Sequence, residues 1–96
     1  MSAYRLSLRA RADLDEIWGY SVARWGRHRA TGYLRQIQKA VEMVAERPDL
    51  GVRQDEIGPD YRKRPVGSHV VFYRLATVVE IVRILHQNMD VRLHLG

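Results

Sequence analysis

The sequence predicts a small α+β sandwich in the order β-α-α-β-β-β, with a helical hairpin laid on one face of a mainly antiparallel sheet. Three observations predict it. Residues 3–8 alternate apolar and polar side chains. Residues 9–25 and 28–46 carry apolar stripes at helical period, with Gly26 between them. Residues 61–86 are rich in β-branched and aromatic residues and are punctuated at Gly67-Ser68 and Ala76-Thr77. Two helices followed by a run of strands bury their apolar sides most simply by packing layer on layer.

The first element places Tyr4, Leu6 and Leu8 on one face of a short strand. In the next, Ala10, Leu14, Ile17, Trp18, Ser21 and Trp25 form one stripe, while Arg9, Arg11, Asp15, Glu16 and Arg24 lie away from it. Ser7 suits the N-cap of this helix, and Gly26 suits the left-handed position that ends it. The second helix repeats the pattern with Ala30, Leu34, Ile37, Val41 and Val44, and Pro48 stops it. The short connection makes the pair an antiparallel hairpin. Residues 47–60, rich in Gly, Pro and Asp, read as loop.

The last third reads as strands. Residues 61–66 are basic, and Pro65 requires an edge position or a strand end. Gly67-Ser68 turns the chain into residues 69–75, and Ala76-Thr77 turns it again into 78–86. A two-residue turn sets Leu75 opposite Val78, Phe72 opposite Ile81 and Val70 opposite Arg83. Apolar residues on both faces of 78–86 call for a central strand covered on each side. The tail from Gln87 to Gly96 carries no clear pattern. The sheet face away from the hairpin is left for a partner.

The chain of 96 residues suffices for one domain, 1–96. With no cysteine, disulfides, thiol chemistry and Cys-ligated zinc are excluded. No apolar run approaches the ~20 residues of a membrane span, and Met1 to Leu6 lacks a signal-peptide core. The expectation is therefore a cytoplasmic protein with no membrane partner. The net charge is +5, and all basic residues are Arg except Lys39 and Lys63. Arg favours bidentate contacts with carboxylate and phosphate, so the balance points to an acidic partner.

Site motifs are sparse. His28, His69, His86 and His94 show no metal-ligand spacing, and phosphate-cradling glycine loops and nucleophile elbows are missing. No cofactor or metal is expected. Ser68 and His69 are adjacent, which in a strand sends them to opposite faces. Arg62, Lys63 and Arg64, with Arg74 and Arg83 nearby, could bind phosphate or an acidic protein segment. Acid–base RNA cleavage needs a base, an acid and a cation. His86 with Arg62, Arg74 or Arg83 offers these types, although strand alternation separates Arg83 from His86.

Larger blocks are more specific. Tyr4-Arg5-Leu6-Ser7, Asp13-Leu14-x-x-Ile17-Trp18-x-Tyr20, Trp25-Gly26, Ala30-x-x-Tyr33-Leu34 and Pro48-x-Leu50-Gly51 occur in order. They are followed by Tyr61-Arg62, by Gly67-Ser68-His69-Val70-Val71-Phe72-Tyr73-Arg74, and by Ile81-Val82-Arg83-Ile84-Leu85-His86-Gln87-x-Met89-Asp90. Together they resemble the ParE toxins of bacterial type II toxin–antitoxin systems, within the RelE/ParE superfamily, over almost the whole chain.

The resemblance implies a toxin that inhibits DNA gyrase by binding, with no catalytic residues. It implies neutralisation by a ParD-like antitoxin with a ribbon-helix-helix DNA-binding domain and an acidic flexible segment, so that DNA is met only through antitoxin or gyrase. It implies antitoxin contacts over the hairpin and sheet, for which Leu14, Trp18, Trp25, Tyr33, Met43, Arg62, Arg64 and Arg74 are the candidates. Toxicity in this family is sought in the C-terminal stretch, which makes Arg83, His86, Arg92 and His94 the target-facing candidates. The RelE branch cleaves mRNA on the ribosome, usually with a C-terminal Tyr or His. The tail here, Val91 to Gly96, holds no Tyr.

Overall fold

A computed structural model describes residues 3–95. Met1, Ser2 and Gly96, which belong to the N-terminal and tail readings above, lie outside the described residues. The elements are β1 (Tyr4–Leu6), α1 (Leu8–Trp25), α2 (Arg27–Glu46), a single 3₁₀ turn (Pro48–Leu50), β2 (Val52–Arg53), β3 (Tyr61–Val66), β4 (His69–Leu75), β5 (Val79–His86) and α3 (Val91–Leu95). The sheet order is β1-β5-β4-β3-β2. β1 runs parallel to β5, and the other pairs are antiparallel.

The expected α+β sandwich is present, with the 3₁₀ turn, β2 and α3 added. The loop 47–60 contains β2, only two residues long and paired with Arg62 and Lys63 of β3. Pro65 lies beyond the end of that pairing, where β3 has no outer neighbour and a missing N–H does no harm. The unassigned tail forms α3.

The helices begin and end for local reasons. The Ser7 hydroxyl accepts from the Ala10 N–H at 3.0 Å and caps α1. Gly26 (φ +86°) takes a positive backbone angle that a side chain would resist, and joins the hairpin in one residue. Ala10 and Ile17 of α1 and Ile37, Val41 and Val44 of α2 pack on Val71, Tyr73, Val79, Ile81 and Ile84 of the sheet. The expected α1 stripe shifts: Trp18 and Trp25 stay 38% and 37% exposed, while Asp13, only 7% exposed, takes a core place.

The β4–β5 register also differs from the sequence reading. The turn has three residues, Ala76 to Val78, so Leu75 faces Val79 and Tyr73 faces Ile81. A bulge at Val82 then moves the register again, and Phe72 faces Arg83, Val70 faces Leu85 and His69 faces His86. The bulge has a packing reason. Ile81 and Ile84 are three residues apart, yet both belong to the core under the helices. Strict alternation would send one of them away.

The other sheet face is not bare, in contrast to the expectation. Phe72 and Leu85 alternate away from Val71, Tyr73 and Ile84, and both are buried by the chain itself. On that side Glu80 lies between Arg5 of β1 and Arg74 of β4, at 3.9 and 2.9 Å.

Candidate functional site

The site arises from a mismatch in strand length. β1 covers β5 only from Val79 to Ile81, after which β5 runs on as an edge. α1 takes over that edge with side chains. The Ser7 N–H donates to the Ile81 carbonyl at 3.0 Å, and its hydroxyl donates to the Val82 carbonyl at 2.7 Å. One turn into the helix, Asp13 Oδ2 accepts the Ile84 N–H at 2.9 Å.

Asp13 also captures Arg83. Arg83 Nε and Nη2 donate to Oδ2 and Oδ1, each at 2.8 Å, and Nη1 donates to the His94 carbonyl at 3.1 Å. The fork is a bidentate pair, the strong geometry for these groups. The hydrogen bonds to Asp13 raise the Arg83 pKa further, against the opposing effect of burial. Arg83 is thus a fixed strut between α1, β5 and α3.

Beside this strut lies a groove of about 530 Å³ between α1 and β5. Ile17 and Ile84 lie at its apolar base, Tyr20, Trp25 and Met89 line it from other sides, and Glu16, His69 and His86 add polar groups. Ser21 lines it too, 1% exposed, and its Oγ is the buried side-chain polar atom without a hydrogen-bond partner among the described residues.

His69 is held by Tyr33 of α2, whose hydroxyl lies 2.6 Å from Nδ1. The same hydroxyl accepts the Ser68 N–H at 3.1 Å and lies 3.3 Å from Ser68 Oγ. The Tyr33 hydroxyl thus accepts from the Ser68 N–H and shares a hydrogen bond with Nδ1, which ties the His69 ring to α2. Burial chiefly, and then His86, holds His69 below its ordinary pKa, with Asp13 opposing. The His86 ring stands edge-on to His69 at 5.4 Å, and its Nδ1 accepts the Asn88 N–H at 3.2 Å. Gly67 (φ +57°) lets this happen, since a Cβ there would come within 2.5 Å of the Tyr33 ring.

Two expectations are corrected here. Ser68 precedes β4, so it and His69 do not diverge; both meet the Tyr33 hydroxyl. Arg83 and His86 both line the groove, because the long Arg83 side chain crosses the uncovered edge of β5 to reach α1.

The other candidates scatter. Arg92 is exposed and pairs with Asp90 at 3.4 Å, and His94 contributes its carbonyl to Arg83. Leu14 is half-buried in a small cavity with Tyr4, Leu34 and Val41. Trp18 and Met43 (46%) present apolar surface to solvent. Arg62 donates to the Gly51 carbonyl at 2.8 Å. Arg64 lies opposite Val71 and Arg62 opposite Tyr73, whereas Lys63 and Arg74 alternate to the other face. The basic cluster of the sequence is therefore divided between the two sides of the sheet. Asp13 and Ser21 were missed as site residues: Asp13 stood only within a family block, and Ser21 only within the α1 stripe. A carboxylate within the stripe that holds Ala10 and Ile17 was the available signal.

A two-helix hairpin on a sheet centred on β5 and β4 is also the fold of a solved chain, "Chromosomal ParDE TA system from P. aeruginosa". The TM-score is 0.76 at 21% identity, covering 90% of this chain and 96% of that one. The family model described as the ParE toxin of type II toxin-antitoxin system, parDE, matches residues 4–91. The protein called Toxin ParE1 of Caulobacter vibrioides is 52% identical over 96 residues, all of both chains. Toxin ParE1 of Mycobacterium tuberculosis is 47% identical over 92 residues, 94% of each. The class is thus a small α+β toxin of a toxin–antitoxin pair. Within it, the chain belongs to the ParE toxin family.

Proposed function

We propose that this protein inhibits DNA gyrase by binding, without catalytic residues of its own, and that a ParD-like antitoxin neutralises it in the cytoplasm. One observation carries the preference for binding over RNA cleavage. Arg83, which lines the groove with His86 and His69, has its guanidinium occupied by Asp13 and the His94 carbonyl. A cation so neutralised stabilises little charge on a phosphate in flight. The δ nitrogens of both histidines are also engaged, by Tyr33 and by an Asn88 N–H. What remains is a mainly apolar, aromatic-lined groove, a feature suited to holding a protein segment.

Purified gyrase provides the test. The toxin should block supercoiling or trap cleaved DNA, and addition of the antitoxin should restore supercoiling. No effect at large toxin excess overturns the reading. In-frame mRNA cuts during translation, abolished by His86→Ala, would move the protein to the ribonuclease branch.

A further inference from the structure

The longest acid-free stretch of the chain lies in the helical hairpin. Between Glu16 and Glu42 there is no acidic residue and there are five basic ones, Arg24, Arg27, Arg29, Arg35 and Lys39. The rest of the chain holds eleven basic and eleven acidic residues, among them a second, smaller acid-free run with Arg62, Lys63, Arg64 and Arg74 between Asp60 and Glu80.

The fold places these residues on the distal half of the hairpin. Arg24 ends α1, Arg27 and Arg29 begin α2, and all five basic side chains are exposed. At about 100° per residue, His28, Arg35 and Lys39 fall on the side of α2 opposite buried Ile37 and Val44. From residue 28 to 39 this ridge runs roughly 16 Å at the helical rise. Among the described residues none of the five enters an ion pair. The paired cations, Arg5, Arg53, Arg74, Arg83 and Arg92, all lie outside the stretch. Arg29 instead lies over Trp25, 5.7 Å from the ring centroid.

We propose that the tip and outer ridge of the α1–α2 hairpin bind the phosphate backbone of duplex DNA. Two observations select DNA over an acidic protein segment. Stable protein interfaces have an apolar centre, and the outer ridge at His28, Arg35 and Lys39 offers none; at the tip the apolar surface is limited to Trp25 and Tyr20, beside a small pocket with Arg29 and Gln36, and the larger apolar grooves lie between α1 and β5 and between the hairpin and β1. Backbone binding, in contrast, is carried by charge alone. Exposed Arg35 and Lys39 on the ridge, with Arg24, Arg27 and Arg29 clustered at the tip, set several free cations where they can reach neighbouring phosphates. The contact is independent of the groove and of whether gyrase is the target.

The test uses the purified full chain, free of antitoxin, with a fluorescent duplex of about 30 base pairs of arbitrary sequence. Anisotropy should report binding that weakens on the order of a hundredfold between about 50 and 200 mM salt, the response to roughly four phosphate contacts. Arg27→Gln with Arg29→Gln should lower the slope of log affinity against log salt by roughly 2. Arg5→Gln with Arg53→Gln, which removes the same charge elsewhere, should lower it by less than about a quarter of that. No binding at ~100 μM protein in low salt overturns the proposal. So does an equal loss in both double variants, or an acidic peptide that displaces the duplex as well as unlabelled DNA does at equal charge.

Discussion

Asp13 and Arg83, seventy positions apart, meet through two hydrogen bonds of 2.8 Å. Both side chains are largely withdrawn from water, at 8% and 13% exposure. Breaking such a pair from one side leaves an uncompensated charge and costs about 3–5 kcal/mol. Asp13→Ala also strips the Ile84 N–H of its acceptor, so it should be the worse of the two single changes. Urea unfolding should show the midpoint drop in either single variant. The double variant with Arg83→Met should recover part of the loss, and simple additivity would contradict a coupled pair.

Tyr33→Phe removes one oxygen with four partners, the Ser68 N–H and Oγ, His69 Nδ1 and the Val66 carbonyl. The expected loss is about 1–3 kcal/mol. Nitrogen chemical shifts of His69 should show a changed ratio of the two neutral tautomers once the hydroxyl beside Nδ1 is gone. An unchanged tautomer ratio would refute the role given to Tyr33.

His69 supplies a pH dependence. Its pKa in the fold lies below its ordinary value of 6.5, so the unfolded chain binds the proton first. Stability is then fully present above pH about 6.5 and falls as pH drops from there through the folded-state value. Denaturation midpoints between pH 5 and 8 should follow this slope, within the range where His titrates. In His69→Gln the part of the slope due to this ring should vanish.

Gly51→Ala should destabilise by about 2 kcal/mol or more, the cost of overpacking a site that cannot relax. A Cβ there lands on the Tyr73 hydroxyl and 2.8 Å from the Lys63 carbonyl. That hydroxyl is already committed, accepting from the Gly51 N–H and donating to the Pro48 carbonyl, each at 2.7 Å. Calorimetry should place the loss in the melting temperature, and Tyr73→Phe should offset some of it by removing the obstructed oxygen.

Met43→Ala should leave stability within about 1 kcal/mol, since nearly half of its side chain faces solvent, whereas Trp18→Ala, which removes a ring 38% exposed, should cost more. If they anchor the antitoxin, each should weaken its binding by about tenfold or more in calorimetric titration. Unaltered affinity in both would move the antitoxin contact to other residues.

Periodicity made the hairpin legible in the sequence, down to the Ser7 cap and the Gly26 stop, because those signals are local. The strands were legible as strands, and their register was not. A third residue in the turn and the extra Val82 are decided by which side chains fit beneath the helices, and neighbours along the chain do not encode that. Asp13 was unreadable for a similar reason: its acceptor role is defined by Ile84 and Arg83, far along the chain. β2 is two residues long and exists only because β3 offers it a partner. The groove itself is a difference in length between β1 and β5, visible only once the two are paired.

The parallel pairing of β1 with β5 has a consequence for synthesis. The first strand finds its partner only when residues 79–81 are made, and Ser7 and Asp13 wait for Val82 and Ile84. A chain emerging from the ribosome can form the α1–α2 hairpin early, since its contacts are local, but must hold it unanchored until nearly the last strand is free. The finished groove, and whatever harm it does, therefore belongs to the completed molecule, and a truncated translation product would lack it.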